Sequence, residues 1–173
     1  MNMEFIISEK KKVTKKIKFW DKKRRQDQTF PVNVIVLGID AVSRSHFYRS
    51  LPNTATLMKK LGFIDFKGYH SLAPSTLTNF MGFLMGLTRP EVRQTCAKDL
   101  TSSFDKCPLI WKRFNQERYI TSFIEDGAQS FNWGSQGGFK NIPTDYYFHQ
   151  YFLAFSIQRL LQIPVRSEKI FFN

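Results

Sequence analysis

Apolar and polar positions along the chain follow two periods. Val34-Ile35-Val36-Leu37, ahead of Gly38-Ile39-Asp40, is an unbroken apolar run rich in β-branched residues. Such a run predicts a strand covered on both faces, as in a parallel sheet, with Asp40 at its carboxyl end. Phe63 to Tyr69 predicts a second strand, and Tyr119 to Ile124 a third that ends at Glu125-Asp126. Between them the spacing turns helical. Ser43 to Ser50 has short helical character, and Ala55, Leu57, Met58 and Leu61 line one face of a helix closed by Gly62. The longest stripe is Leu77, Phe80, Met81, Leu84 and Leu87, a helix that Ser75 or Thr76 can cap. Residues 88–107 read as polar and turn-like, Leu109 to Glu117 as a helix, 131–143 as a loop, and Tyr146 to Leu161 as a last helix before Pro164. Strands alternating with helices predict an α/β domain with a mainly parallel sheet.

The chain has 173 residues, of which 42% are hydrophobic and 18 are Phe, so it can bury a core of ordinary domain size. The net charge of +12 is unevenly spread. Residues 1–30 hold ten cations against four acids, half of that surplus. They read as a basic, flexible arm ahead of a domain over 31–173. An arm of this kind is usually solvated, and the other reading is a nucleic-acid or acidic-membrane binder. No apolar run approaches the ~18–20 residues of a membrane span, and the short patch Met3 to Ile7 is not a secretory signal. Cys96 and Cys107 are too few for a disulfide scaffold or a four-cysteine zinc site. They pair in an oxidising compartment or stay as buried thiols in a reducing one.

Open parallel sheets bind ligands beyond the carboxyl ends of their strands, where Asp40 and the turn into the Thr76 helix both fall. Asp40 offers a hard oxygen to a metal; the bland alternative is a turn aspartate. A Thr at a helix start sits among unpaired N–H groups that favour an anion, and a metal can activate its hydroxyl for attack. Its bland alternative is a helix cap. Asp145 and His149 stand four apart, a spacing for two ligands on a helix, but read better as surface or packing residues. Glu125-Asp126 reads as a solvated turn more than as a ligand pair. The aromatic cluster Tyr146, Tyr147, Phe148, Tyr151, Phe152 and Phe155 reads as packing rather than as a glycan or base platform.

Ordered blocks then carry a resemblance. Val36-Leu37-Gly38-Ile39-Asp40-Ala41-Val42-Ser43-Arg44 resembles the G-[IV]-D-S-x-S-R opening of the DUF229 family, which is sulfatase-like and of the alkaline-phosphatase-like superfamily. Lys67-Gly68-Tyr69-His70 through Thr76-Leu77-Thr78-Asn79-Phe80 is similar to its second block. Cys107-Pro108-Leu109-Ile110-Trp111-Lys112, then Tyr119, Thr121, Glu125 and Asp126, resemble its third, and Pro143-Thr144-Asp145-Tyr146-Tyr147 its P-T-D-x-Y. The resemblance implies a three-layer α/β/α sandwich with a mainly parallel sheet. It implies Asp40 as a metal ligand and Thr76 as both nucleophile and metal ligand, with the N–H groups after Thr76 steadying the anion. The implied cofactor is a divalent metal, commonly zinc, and the implied substrate an anionic phosphoester or sulfoester. Location would be extracellular or lumenal. Ala41, Pro74-Ser75 and Thr78 depart from the family pattern, and the Cys, Pro and Arg of formylglycine sulfatases are absent around Thr76, which points to phosphorus chemistry.

Such enzymes draw most of their Asp and His ligands from a longer domain, so the expectation is an apparently truncated domain, half of a site and inactive alone. Two other classes stay open: a non-catalytic fragment or interaction protein working through exposed aromatic surface, and the basic-arm binder. Nucleic acid is not the expected partner.

Overall fold

The structure is a computed structural model that describes residues 7–27, 31–99, 101–125, 131 and 137–149. The helices are α1 (Lys11–Asp27), α2 (Arg44–Ser50), α3 (Pro52–Lys60), α4 (Thr76–Phe80), α5 (Arg89–Thr95) and α6 (Ile110–Gln116). A π-helical turn, Met81–Met85, continues α4, and a 3₁₀ turn covers Phe104–Lys106. Strands β1 (Ser122–Phe123) and β2 (Tyr146–Tyr147) pair in parallel, Ser122 opposite Tyr146 and Phe123 opposite Tyr147. Mixed helix with a small parallel sheet agrees with an α/β class. Among the described residues no wider sheet forms.

The core is aromatic and lies within residues 77–147. Phe104, Phe131, Met81 and Leu109 are fully buried, with Val92, Cys107 and Leu77 beside them. Each such side chain contributes about 1.5–3 kcal/mol by leaving water. The rings of Trp111 and Phe123 stack at 5.0 Å, those of Phe123 and Tyr147 at 5.9 Å, and Phe104 meets Phe131 edge-on at 5.3 Å. Phe123 therefore carries the packing from α6 across β1 onto β2. Tyr147 packs as expected, while Tyr151, Phe152 and Phe155 lie outside the described residues. Cys96, at the end of α5, and Cys107, after the 3₁₀ turn, form a disulfide with Cα atoms 4.9 Å apart. Closing so short a loop contributes about 3 kcal/mol through the unfolded chain.

The helix of the Leu77 stripe departs from ideal spacing. Gly86, in the left-handed region at φ 68°, closes the π turn, and the Leu87 N–H reaches back to the Met81 carbonyl. A π turn holds more residues than an α turn and rotates the face it presents. Met85 is buried where the stripe predicts Leu84, and Leu84 and Leu87 pack against the core only in part.

Several expected elements differ. The expected buried strand Val32–Ile39 forms no strand and is exposed, Ile35 at 90%. The expected strand Phe63–Tyr69 is likewise unpaired and exposed. A strand exists only when a neighbouring strand accepts its backbone hydrogen bonds, and among the described residues no strand pairs with either segment. Residues 88–107, read as turns, contain α5. Thr88 and Glu91 form its capping box and Pro90 opens its first turn, a start signal already visible as Thr-x-x-Glu. Tyr146 to Leu161 does not begin as a helix, because Tyr146–Tyr147 is β2; residues 150–161 lie outside the described residues.

The basic arm also differs. Residues 11–27 are helix rather than flexible chain, and the helix is docked. Val13 is buried, the Trp20 indole donates to the Arg118 carbonyl at 2.9 Å, and its ring meets Tyr119 edge-on. Lys16 donates from Nζ to the Asp145 carboxylate at 2.6 Å and to the Tyr119 carbonyl at 2.8 Å. Lys12 Nζ stands 3.3 Å from the other Asp145 oxygen, and Lys10 donates to the Asp145 carbonyl.

Candidate functional site

The chain reaches Asp40 through the exposed Val32–Ile39 segment and turns sharply at Asp40-Ala41. Ala41 adopts φ 56°, a region that costs a residue with a β-carbon about 1 kcal/mol. Ser43 then caps α2 by accepting the His46 N–H. Arg44, the first residue of α2, grips Asp65 from two nitrogens, and the Tyr48 hydroxyl donates to the same carboxylate at 3.0 Å. The hydrogen bond from Arg44, joined by that of Tyr48 and the charge of the guanidinium, holds Asp65 down at about 2. Asp65 is thus an anion at any ordinary pH and ties α2 to the 63–70 segment.

Thr76 is the first residue of α4. Ser75 caps that helix by accepting the Thr78 N–H, and its Oγ lies 2.8 Å from that of Thr78. The loop into Thr76 is held by one side chain, Asn79. Its Oδ1 accepts from the Leu72 N–H at 2.7 Å and the Ala73 N–H at 3.4 Å, and its Nδ2 donates to the carbonyls of Ala73 and Ser75 at 2.7 and 2.8 Å. Asn79 stands inside the second motif block, yet spacing assigns it no role. Its four bonds close the loop within seven residues.

The two residues singled out by sequence meet: the Thr76 hydroxyl donates to Asp40 Oδ1 at 3.3 Å, across 36 positions of chain. An acceptor at that distance orients the hydroxyl hydrogen and leaves the oxygen's lone pairs for an electrophile. The other candidates are not part of this pair. Asp145 is neither helical nor at the surface: it is 2% exposed, and it accepts from Lys16 and from the N–H and hydroxyl of Thr121. Burial alone would raise its pKa. The hydrogen bonds of Lys16, Thr121 and Lys12 and the charge of Lys16 outweigh that, and it ends below the usual carboxylate range. His149 stacks on Tyr147 at 5.5 Å, and burial lowers its pKa. Glu125 is half-buried after β1, and Asp126 lies outside the described residues.

The sequence model of the family described as "Protein of unknown function (DUF229)" matches residues 2–161. The chain belongs to the DUF229 family. No curated protein and no solved structure matches it. In this DUF229 chain, Asp40 and Thr76 offer one carboxylate and one hydroxyl, whereas zinc is held by three or four protein ligands. Among the described residues no group of three or more His, Cys, Asp or Glu lies together. The described donors alone do not complete a metal site. Nor is any described helix long and apolar enough to cross a membrane.

Proposed function

We propose that the Asp40–Thr76 pair is the nucleophile half of a phosphoester or sulfoester hydrolase or transferase site. The observation that carries this reading is the hydrogen bond from the half-buried Thr76 to the exposed Asp40, two polar residues 36 positions apart in sequence. The Thr76 oxygen would attack the central atom of the ester with its proton passing to water, and the alcohol would leave with a proton from water, while Asp40 holds the Thr76 hydroxyl in place. Hydrolysis of the enzyme ester restores Thr76. In this reading Asp40 and Thr76 would be two of the ligands of a divalent ion, commonly zinc, which would supply activation of the Thr76 hydroxyl. In this reading the parallel β1–β2 pair belongs to a three-layer sandwich. The Cys96–Cys107 disulfide supports maturation in an oxidising compartment, extracellular or lumenal.

The test is turnover of aryl phosphate monoesters, phosphodiesters and sulfates by the native protein with added zinc. Asp40→Asn and Thr76→Ala should each abolish it while far-UV circular dichroism stays unchanged. Turnover that survives both changes, or no turnover of any ester by the wild type, overturns the reading.

The exposed apolar segments favour a second reading, a protein that works by association. Ile35, Leu37 and Ile64 are each at least 78% exposed on backbone that pairs with no strand among the described residues. This reading predicts concentration-dependent self-association that Ile35→Asp reduces.

A further inference from the structure

The docked face of α1 fixes which face looks outward. Val13, Lys16 and Trp20 point at the domain. Lys11, Lys15, Lys18, Lys22 and Arg25 recur at intervals of four, three, four and three, which puts all five within a narrow stripe on the opposite side. All five are exposed, and among the described residues none makes an ion pair. The stripe runs about 21 Å at ~1.5 Å per residue. Each successive pair along it is a like-charge neighbour that works against the helix. The first turn carries no acid, so Lys11 also opposes the helix dipole. Asp21, which pairs with Arg24, is the one acid of α1 that borders this face.

We propose that this stripe is a docking surface for a linear sulfated polysaccharide. Five cations in one line, on a helix already ordered by the domain, match a linear polyanion in charge and shape without a folding cost. The stripe holds no apolar residue to enter a membrane. It holds no ring on which a base could stack, since Trp20 and Phe19 face Arg118 and Tyr119. The choice of a glycan over nucleic acid rests on the oxidising compartment proposed above; the stripe itself is independent of ester chemistry.

The test is equilibrium binding of the full chain to a size-defined, fully sulfated heparin oligosaccharide at about 0.15 M salt. Two variants of equal net charge are compared. One changes the five stripe residues to Gln, and the other changes the exposed Arg49, Lys59, Lys60, Arg93 and Lys98 to Gln. Wild type and the second variant should bind alike, with affinity falling steeply with salt, while the stripe variant weakens by roughly tenfold or more and loses most of its salt slope. The stripe variant should melt no lower than wild type, because its repulsion is gone. Equal weakening of both variants overturns the proposal, as does a desulfated oligosaccharide that binds as well. A single-stranded DNA of matched charge that binds as tightly assigns the stripe to nucleic acid and overturns it. Binding to phosphatidylserine vesicles with none to the oligosaccharide overturns it equally.

Discussion

Replacing Asp145 with Asn keeps the shape of the side chain and removes its charge. Asn can still accept from Thr121, so the change isolates the ionic contacts, with Lys16 and with the more exposed Lys12. The contact with Lys16 is sheltered: Asp145 is 2% exposed and Lys16 13%. Removing one member of a buried ion pair leaves the other desolvated without compensation, which costs ~3–5 kcal/mol. Lys16 keeps the Tyr119 carbonyl and the Asn115 amide oxygen, so the lower end, about 3 kcal/mol, is expected. For a chain of this size that is a fall in Tm of roughly 6–12 °C. The pH dependence gives a second handle. The folded carboxyl is held below its unfolded value, so its contribution is fully present above about pH 5 and is lost as pH falls through the folded pKa. The wild type then approaches the state that Asp145→Asn mimics. Urea or thermal unfolding of both proteins at pH 7 and near pH 2 should show a wide gap that narrows on acidification. A gap under about 0.5 kcal/mol at pH 7, or one that persists in acid, refutes the reasoning.

Asn79→Ala removes four hydrogen bonds from the Leu72–Ser75 loop and should cost about 2–4 kcal/mol, with amide exchange at Leu72 and Ala73 accelerated. Exchange at those amides that stays unchanged would remove Asn79 as the clamp of the loop. Asp65 should titrate at about 2 by NMR in the wild type and near the ordinary ~3.9 in Arg44→Gln. A wild-type midpoint near 3.9 would mean that the Arg44 contact does not form in solution.

Local signals in the sequence are legible and long-range ones are not. Ser43 announces α2, Gly62 ends the turn after α3 at φ 76°, and the Leu77 periodicity marks α4, because capping and amphipathicity act within a few residues. Thr88-x-x-Glu91 carried the same kind of signal for α5 among polar neighbours. The Asp40–Thr76 contact was reachable because both stand at ends of predicted elements. Strand formation for Val32–Ile39 was not reachable, since a β-branched run states a preference that only a partner strand can satisfy. The fate of the lysines was hidden too. Lys16 and Lys18 are alike in sequence, and only the docking of α1 makes one a buried clasp and the other a surface charge.

That clasp has a temporal consequence. Lys16 and Asp145 are separated by 129 positions, whereas α4 and α5, the disulfide loop and α6 are neighbours along the chain. Short loops close first, so the aromatic core can condense while α1 is still unattached. During synthesis α1 leaves the ribosome before the residues that seat it, and it is therefore the last of these elements to dock. Contacts made that late are absent from the folding barrier. They govern how slowly the finished molecule comes apart rather than how fast it assembles.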